Sequence, residues 1–412
     1  MSNDEIYRMI LSFENFLTEQ KNTHMTHIED MLLYGGVDGT RQAIFALRDM
    51  RNILAGKKEG DISVKWDGAP AIFAGTDPRD GKFFVAKKGI FNKNPKIYKT
   101  AKEIEADTSG DLANKLKAAL RYLPALGIEG VIQGDFLFGS EDLKRETIDG
   151  KQYVTFHPNT IVYAVPIEQA KELLSAKIGI VWHTSYSGSS FETMKASYGV
   201  NVSNLKKSKN VWFQDAMLRD VRNATLTSDE TETINAYLSQ IGKLFNEVSG
   251  NTLRTLESSP DLARTIEQFN NMFVKKGAII GDSSRHVEKL IRWIRGRYQQ
   301  EITSRKTAKG KEAQQLKRDE VLKFFSPENK QSLIKLFDLQ KLIVITKMRL
   351  INKLNSLSKM ATFVKTKDGY KVTGQEGYVA IDTLGDNAVK LVDRMEFSYN
   401  NFSPNIVKGW QR

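Results

Sequence analysis

The residues with the clearest chemical potential lie in Ser63-Val64-Lys65-Trp66-Asp67-Gly68. A lysine amine attacks phosphorus when it is neutral and held in line with a leaving group. Burial among β-rich neighbours disfavours the charged ammonium form. Asp67 can accept hydrogen bonds from a nucleotide or position the lysine, and Gly68 allows a tight exit from a strand. By itself Lys-x-Asp-Gly also describes a plain strand ending in an Asp-Gly turn. Further along the chain come Lys87-Lys88-Gly89, Gly134-Asp135-Phe136, Tyr163, Glu376-Gly377 and Lys390.

These residues must be brought together by a chain of 412 residues, enough for two or three folding units. Its hydrophobic fraction of 40% and charged fraction of 27% are those of an ordinary soluble globular protein. Lys and Arg outnumber Asp and Glu by 61 to 49, a net charge of +12. That excess favours an anionic partner, of which nucleic acid is the commonest. The absence of cysteine excludes disulfides, thiolate zinc sites and cysteine catalysis. Met1-Ser2-Asn3-Asp4-Glu5 is unlike a targeting peptide, and the apolar run at 342–345 is too short to cross a bilayer. The expectation is a soluble, cytoplasmic protein with no membrane partner.

Residues 1–58 read as an N-terminal helical region. Ile6, Met9, Ile10, Phe13 and Phe16 fall at helical spacing, as do Ile44, Leu47, Met50 and Leu54, with glycines 35, 36 and 39 between the two stretches. Residues 62–66 and 82–86 are β-rich and read as a hairpin around the turn at 76–81. A helix follows at 110–123, with Leu112, Leu116 and Leu120 on one face, then strands at 130–134, 152–156, 159–164 and 178–182. The stretch from 204 to 360 is helical in pattern and basic; strands return at 361–365, 370–373, 377–381 and 388–392. The reading is an α+β fold of antiparallel sheets, 59–203 and 361–412, interrupted by a helical insertion at 204–360.

The order of the chemical residues resembles that of the covalent nucleotidyltransferases, which include DNA ligases, RNA ligases and capping enzymes. Lys65-Trp66-Asp67-Gly68 matches their motif I. Ala86-Lys87-Lys88-Gly89 is similar to the basic stretch near the nucleotide. Val131-Ile132-Gln133-Gly134-Asp135-Phe136 resembles motif III, and Thr160-Ile161-Val162-Tyr163 resembles motif IIIa, whose aromatic residue stacks on the purine. Gln375-Glu376-Gly377-Tyr378-Val379 matches motif IV, and Ala388-Val389-Lys390-Leu391-Val392 resembles motif V.

This resemblance implies a ligase-type, ATP-grasp-like nucleotidyltransferase fold that uses ATP and Mg2+, with Mn2+ as a substitute. It implies a catalytic pair, Lys65 as the nucleophile that becomes lysyl-AMP and Lys390 at the phosphates. Nucleotide contacts would come from Val64, Lys65, Asp67, Gly68, Lys88, Asp135, Tyr163, Glu376 and Lys390, and the metal ligands would be Asp135 and Glu376.

Departures are visible. Asp135 stands where glutamate is usual, Ala69-Pro70 stand where a basic or polar residue is usual, and Val392 replaces the second lysine of motif V, with Arg394 as a substitute. The stretch after Val392 is too short for the OB-fold domain of DNA ligases, so phage-type RNA ligases are the better match. The expected activity is ATP-dependent joining of 5′-phosphate to 3′-hydroxyl RNA ends. The alternatives are a DNA ligase or another nucleotidyltransferase with a different acceptor, or an inactive nucleic-acid-binding protein on the same fold. The stretch from Met25 to Asp30 also resembles uncharacterised tailed-phage proteins, which would make the compartment a host cytoplasm.

The basic insertion is the expected nucleic-acid surface, RNA first and DNA second. Residues 271–310 hold ten Lys or Arg against three Asp or Glu. Val287, Leu290, Ile291 and Ile294 form an apolar stripe, and Arg285, Lys289, Arg292, Arg295 and Arg297 lie off it. Such a face can neutralise phosphates, although most charge runs are simply solvated. Trp293 reads as core. His24 and His27 precede Glu29 and Asp30 but lack the further ligands of a metal site. The glycine-containing 185–190 segment lacks a Gly-Lys-Ser/Thr ending and reads as a loop.

Overall fold

Short apolar-rich runs bounded by turns build three sheets, and two of them meet at the candidate site. The computed structural model describes residues 26–58, 60–218, 226–357, 360–381 and 388–411. The helix expected from Ile6 to Phe16 and the residue His24 lie outside them. Among the described residues the fold is mixed α and β with sheets that are almost wholly antiparallel, the α+β class.

The largest sheet has strand order β10-β9-β5-β2-β3-β4. Its members are β2 (Ala71–Thr76), β3 (Phe83–Ala86), β4 (Ile97–Tyr98), β5 (Val131–Gly139), β9 (Ile178–Ser187) and β10 (Lys195–Tyr198). Strand β11 (Val211–Asp215) adds to β9 in parallel. Helix α2 (Gly110–Tyr122) covers it with Ala113, Leu116 and Ala119, in a core that includes Ile72, Val85 and Trp182. A second sheet, in the order β13-β12-β8-β7-β6, joins β6 (Lys144–Ile148), β7 (Lys151–Phe156) and β8 (Ile161–Pro166) to β12 (Ala361–Thr366) and β13 (Gly369–Val372).

The third sheet is small: β1 (Asp61–Lys65), β14 (Gly377–Ile381) and β15 (Ala388–Leu391), with Lys65 opposite Gly377 and Val379 opposite Lys390. Here the hairpin expectation is corrected. The partner of 83–86 is β2, while β1 pairs with β14 from the far end of the chain. The run Ala71-Ile72-Phe73-Ala74 was hidden behind Gly68-Ala69-Pro70, which resembles a turn.

The helices begin at Ser228, later than the expected 204, because Val211-Trp212-Phe213 has joined the sheet. They are α3 (Ser228–Glu247), α4 (Gly250–Ser258), α5 (Pro260–Val274), α6 (Ser283–Ser304), α7 (Ala308–Phe324) and α8 (Lys330–Asn355). Thr227 starts α3 with a reciprocal cap: its side chain accepts from the Glu230 N–H while the Glu230 carboxylate accepts from its own. The N-terminal helix α1 (Gly36–Leu54) does not stand apart. Ile44, Leu47, Met50 and Leu54 share one apolar core with Ile234, Leu253, Ile266, Leu290 and the α8 residues Leu336, Ile343 and Leu350. That core also takes in Ile62, Tyr378 and Leu391 from the small sheet, so the helical body supports β1, β14 and β15 from behind.

Candidate active site

Side chains alternate across a strand, and directly paired residues share a face. In the small sheet Ile62, Val64, Tyr378 and Leu391 point to the helical core. Ser63, Lys65, Val379 and Lys390 therefore fall on the other face. This corrects the expectation for Val64, which packs against the helices, away from Lys65. The paired positions Lys65–Gly377 and Val379–Lys390 set both lysines on one surface. Gly377 is needed for that pairing: a Cβ there would lie 2.5 Å from Val392 Cγ2 and 2.6 Å from the Leu391 carbonyl oxygen.

The chain then carries the motif across to the large sheet. The Ala69 N–H donates to the Phe136 carbonyl (2.9 Å) and the Phe136 N–H to the Pro70 carbonyl (3.0 Å). Gly68 permits this approach, because a Cβ there would sit 2.5 Å from the Asp135 Cβ. Lys115 of α2 donates to the Ala69 carbonyl at 3.1 Å. The result brings Asp135, on β5, towards Lys65.

Lys65 Nζ forms an ion pair with Glu376 Oε1. Burial pushes the Glu376 carboxyl up to about 7; Lys65 pulls it down, and Asp67 and Asp135 add to the rise. Burial likewise pushes Asp135 up to about 7 against Lys65 and Lys88, with Asp67 raising it further. For Lys390, burial and the neighbouring Lys65 lower the pKa, and Glu376 opposes them. Lys65, Asp135, Glu376 and Lys390 thus form one electrostatic unit, with the exposed Lys88 near Asp135.

Asp67 takes the positioning role of the two expected for it, and Tyr163 takes another role than expected. The Asp67 carboxylate is buried and saturated, accepting from Asn159 Nδ2 (2.6 Å) and from the N–H groups of Thr160 (2.6 Å) and Ile161 (2.7 Å). It ties the motif to the β7–β8 turn and so orients the lysine from below. Tyr163, expected as the purine platform, is fully buried between Trp66 (ring centroids 4.8 Å apart) and Phe156 (5.3 Å), and its hydroxyl accepts the Asp67 N–H at 2.7 Å. No ring face is open on Tyr163, so the stacking role is withdrawn for this residue.

A family model whose description is a family of unknown function, DUF6267, matches residues 22–406. The chain belongs to this family. The matched span takes in Lys65, Asp135, Glu376 and Lys390 alike. No curated protein and no solved structure matches the chain.

The DUF6267 chain also places residues at the site that spacing did not single out. His183, on β9, lies with Nε2 3.8 Å from Asp135 Oδ2, and its Nδ1 is 2.8 Å from Thr184 Oγ1. Burial, with Lys65 nearby, lowers it to about 4. A lone histidine within a β-rich run has no spacing signature. Behind Lys390 lies a second set. His27 bridges Lys390 through the backbone. Glu29 pairs with the buried Lys347 at 2.8 Å, and Asp30 with Arg394 at 2.7 Å. Arg394 is therefore committed to Asp30, Glu29 and Asn271 and does not replace the second motif V lysine. Burial lowers His27 to about 3 in spite of Glu29, which keeps it neutral beside these cations.

Among the described residues no group of three or more acidic or histidine ligands is poised for a metal. Asp135 and Glu376 nevertheless offer hard oxygen donors, and burial disfavours both as anions. A dication held by two carboxylates and completed by phosphate oxygens and water would relieve that cost, so the pair fits Mg2+. A wider depression of about 580 Å3 lies at the other end of β5, beside Thr76, Glu129, Gly130 and Ser185. Its described lining has no lysine and no second carboxylate.

On α6, Val287, Leu290 and Ile294 are buried and Ile291 is half-buried. Arg285, Lys289, Arg292 and Arg295 are exposed, while Arg297 is engaged by Glu301 (3.1 Å) and Gln268 (2.6 Å). Trp293 packs against the core, with Phe269 5.5 Å away. No helix among the described residues is long and apolar enough to cross a membrane.

Proposed function

We propose that this protein is an ATP-dependent polynucleotide ligase that works through a covalent Lys65–AMP intermediate. The observation that carries the reading is the direct Lys65–Glu376 contact, on one sheet face with Lys390 and facing Asp135. A lysine set against a carboxylate whose pKa is about 7 has a proton acceptor matched to neutral pH. In the first step Lys65 Nζ attacks the α-phosphorus of ATP, the bond to the β-phosphate oxygen breaks, and pyrophosphate leaves. The lysine proton passes to Glu376. Lys390 and Lys88 balance the charge that grows on the phosphate oxygens. In this step Asp135 is the residue that would hold Mg2+, which would neutralise phosphate charge, because a metal-bound Glu376 could not take the lysine proton. AMP then moves to a 5′-phosphate, and a 3′-hydroxyl displaces it to leave a phosphodiester. RNA is the acceptor class favoured by the resemblance to phage-type RNA ligases.

One observation favours a second reading, a ligase-like body that binds nucleic acid without turnover. The burial of Tyr163 removes the purine platform on which nucleotide binding in the superfamily relies. Transfer of label from pre-adenylylated protein separates the two. The ligase reading expects labelled AMP to appear on a 5′-phosphorylated oligonucleotide, followed by a joined product, with nicked RNA better than nicked DNA. Protein that binds the strand but takes no label from ATP, or takes it and never releases it to the strand, supports the second reading.

A further inference from the structure

The outer face of the helix after β15, α9 (Arg394–Phe402), has no part in nucleotide chemistry. Tyr399 and Phe402 are 46% and 65% exposed there and lie one turn apart, so they share a face. Each ring carries an ammonium. Lys371 Nζ lies 5.5 Å from the Tyr399 ring centroid, and Lys275 Nζ lies 5.3 Å from that of Phe402. Among the described residues no carboxylate pairs with either lysine.

The inner face of the same helix reaches the site. Glu396 Oε1 accepts from Thr373 Oγ1 at 2.7 Å and from the Gly374 N–H at 3.1 Å, just before Glu376. Phe397, Asn400 and Asn401 line a narrow cleft with Glu376 and Asp67. The surface also continues away from the site. Lys275 follows the last turn of α5, and Phe273 of that turn has Lys289 of α6 5.8 Å from its ring.

We propose that the outer face of α9, with Lys275 and Lys371, holds single-stranded RNA on its way to Lys65. This rests on the ligase reading for its purpose, and on the aromatic–lysine pairing for its chemistry. Bases of a single strand stack on aromatic rings, and cations beside those rings meet the intervening phosphates. The positive charge argues against an apolar peptide as occupant, and two projecting rings do not match the continuous backbone of a duplex.

The test measures binding with Lys65→Ala protein, which cannot be labelled on Lys65, and a short 5′-phosphorylated oligoribonucleotide at fixed salt. Joint replacement Tyr399→Ala and Phe402→Ala is expected to weaken binding about tenfold or more, while Tyr399→Phe alone retains it. Lys275→Gln with Lys371→Gln is expected to flatten the salt dependence. Because both rings are exposed, the thermal midpoint should not move, which guards against misfolding as the cause. The proposal is overturned if the double alanine variant binds within about twofold of its parent. It is equally overturned if the parent prefers duplex or single-stranded DNA to single-stranded RNA. Failure of the ligase reading is seen separately, as wild-type protein that takes no label from ATP.

Discussion

At the scale of single residues, the site works by placing charges where water cannot compensate them. Glu376 is the clearest instance. Its side chain is 10% exposed, and burial lifts its carboxyl from the ordinary 4.5 to about 7. The folded state therefore keeps a proton that the unfolded chain has lost, and this contribution to stability is full below 4.5 and disappears as the pH rises through 7. Glu376→Gln cannot ionise and escapes the loss. The variant should gain on wild type between about pH 5 and pH 8, by on the order of 1–3 kcal/mol, in thermal or denaturant unfolding. A difference that stays level or shrinks over that range would contradict the burial account. The same variant is expected to lose about 10²–10⁴-fold in the rate of self-adenylylation, because no acceptor remains for the Lys65 proton.

At the scale of elements, much of the secondary structure was legible and its pairing was not. Residues 377–381 and 388–391 read directly as strands, since their apolar and β-branched residues follow strand periodicity. The partner of β1 was hidden because it lies on β14, and local periodicity carries no information about so distant a pairing. That pairing decides which residues face the site. Val64 and Tyr163 have suitable types and positions in the motif order, yet their strands turn them into cores. Asp135, Glu376 and Lys390 were singled out by their order relative to Lys65, which resembles that of the nucleotidyltransferase motifs.

The element behind Lys390 has its own prediction. Lys347 and Glu29 are 1% and 4% exposed, so removing Lys347 leaves the buried Glu29 with only the longer Arg394 contact at 3.6 Å. Lys347→Met is expected to cost about 3–5 kcal/mol in denaturant unfolding, and adding Glu29→Leu should recover most of it. If the double variant is no more stable than the single one, Lys347 and Glu29 do not act as a balanced pair.

At the scale of the whole molecule, the net charge of +12 is distributed unevenly. Arg285, Lys289, Arg292 and Arg295 stand exposed on α6, the helix whose apolar face closes the helical core. Their exposure was legible from the stripe of Val287, Leu290 and Ile294. If this face meets RNA phosphates, joint replacement by Gln should reduce the slope of log affinity against log salt by about 0.7 for each phosphate no longer neutralised. An unchanged slope would mark the four residues as a solvated face. The merging of the N-terminal helix with the insertion was not legible, since each has an ordinary amphipathic pattern and neither pattern names its partner.

The central claim, Lys65 as covalent nucleophile, is tested most directly by the mass of the protein after incubation with ATP and Mg2+. The account predicts a fraction of the wild-type chain heavier by one AMP, stable to alkali and lost in acid as a phosphoramidate is, with the addition mapped to the peptide containing Lys65. It predicts none on Lys65→Ala. A wild-type chain that gains no nucleotide from ATP or GTP, or a Lys65→Ala chain that gains it equally, would contradict the account.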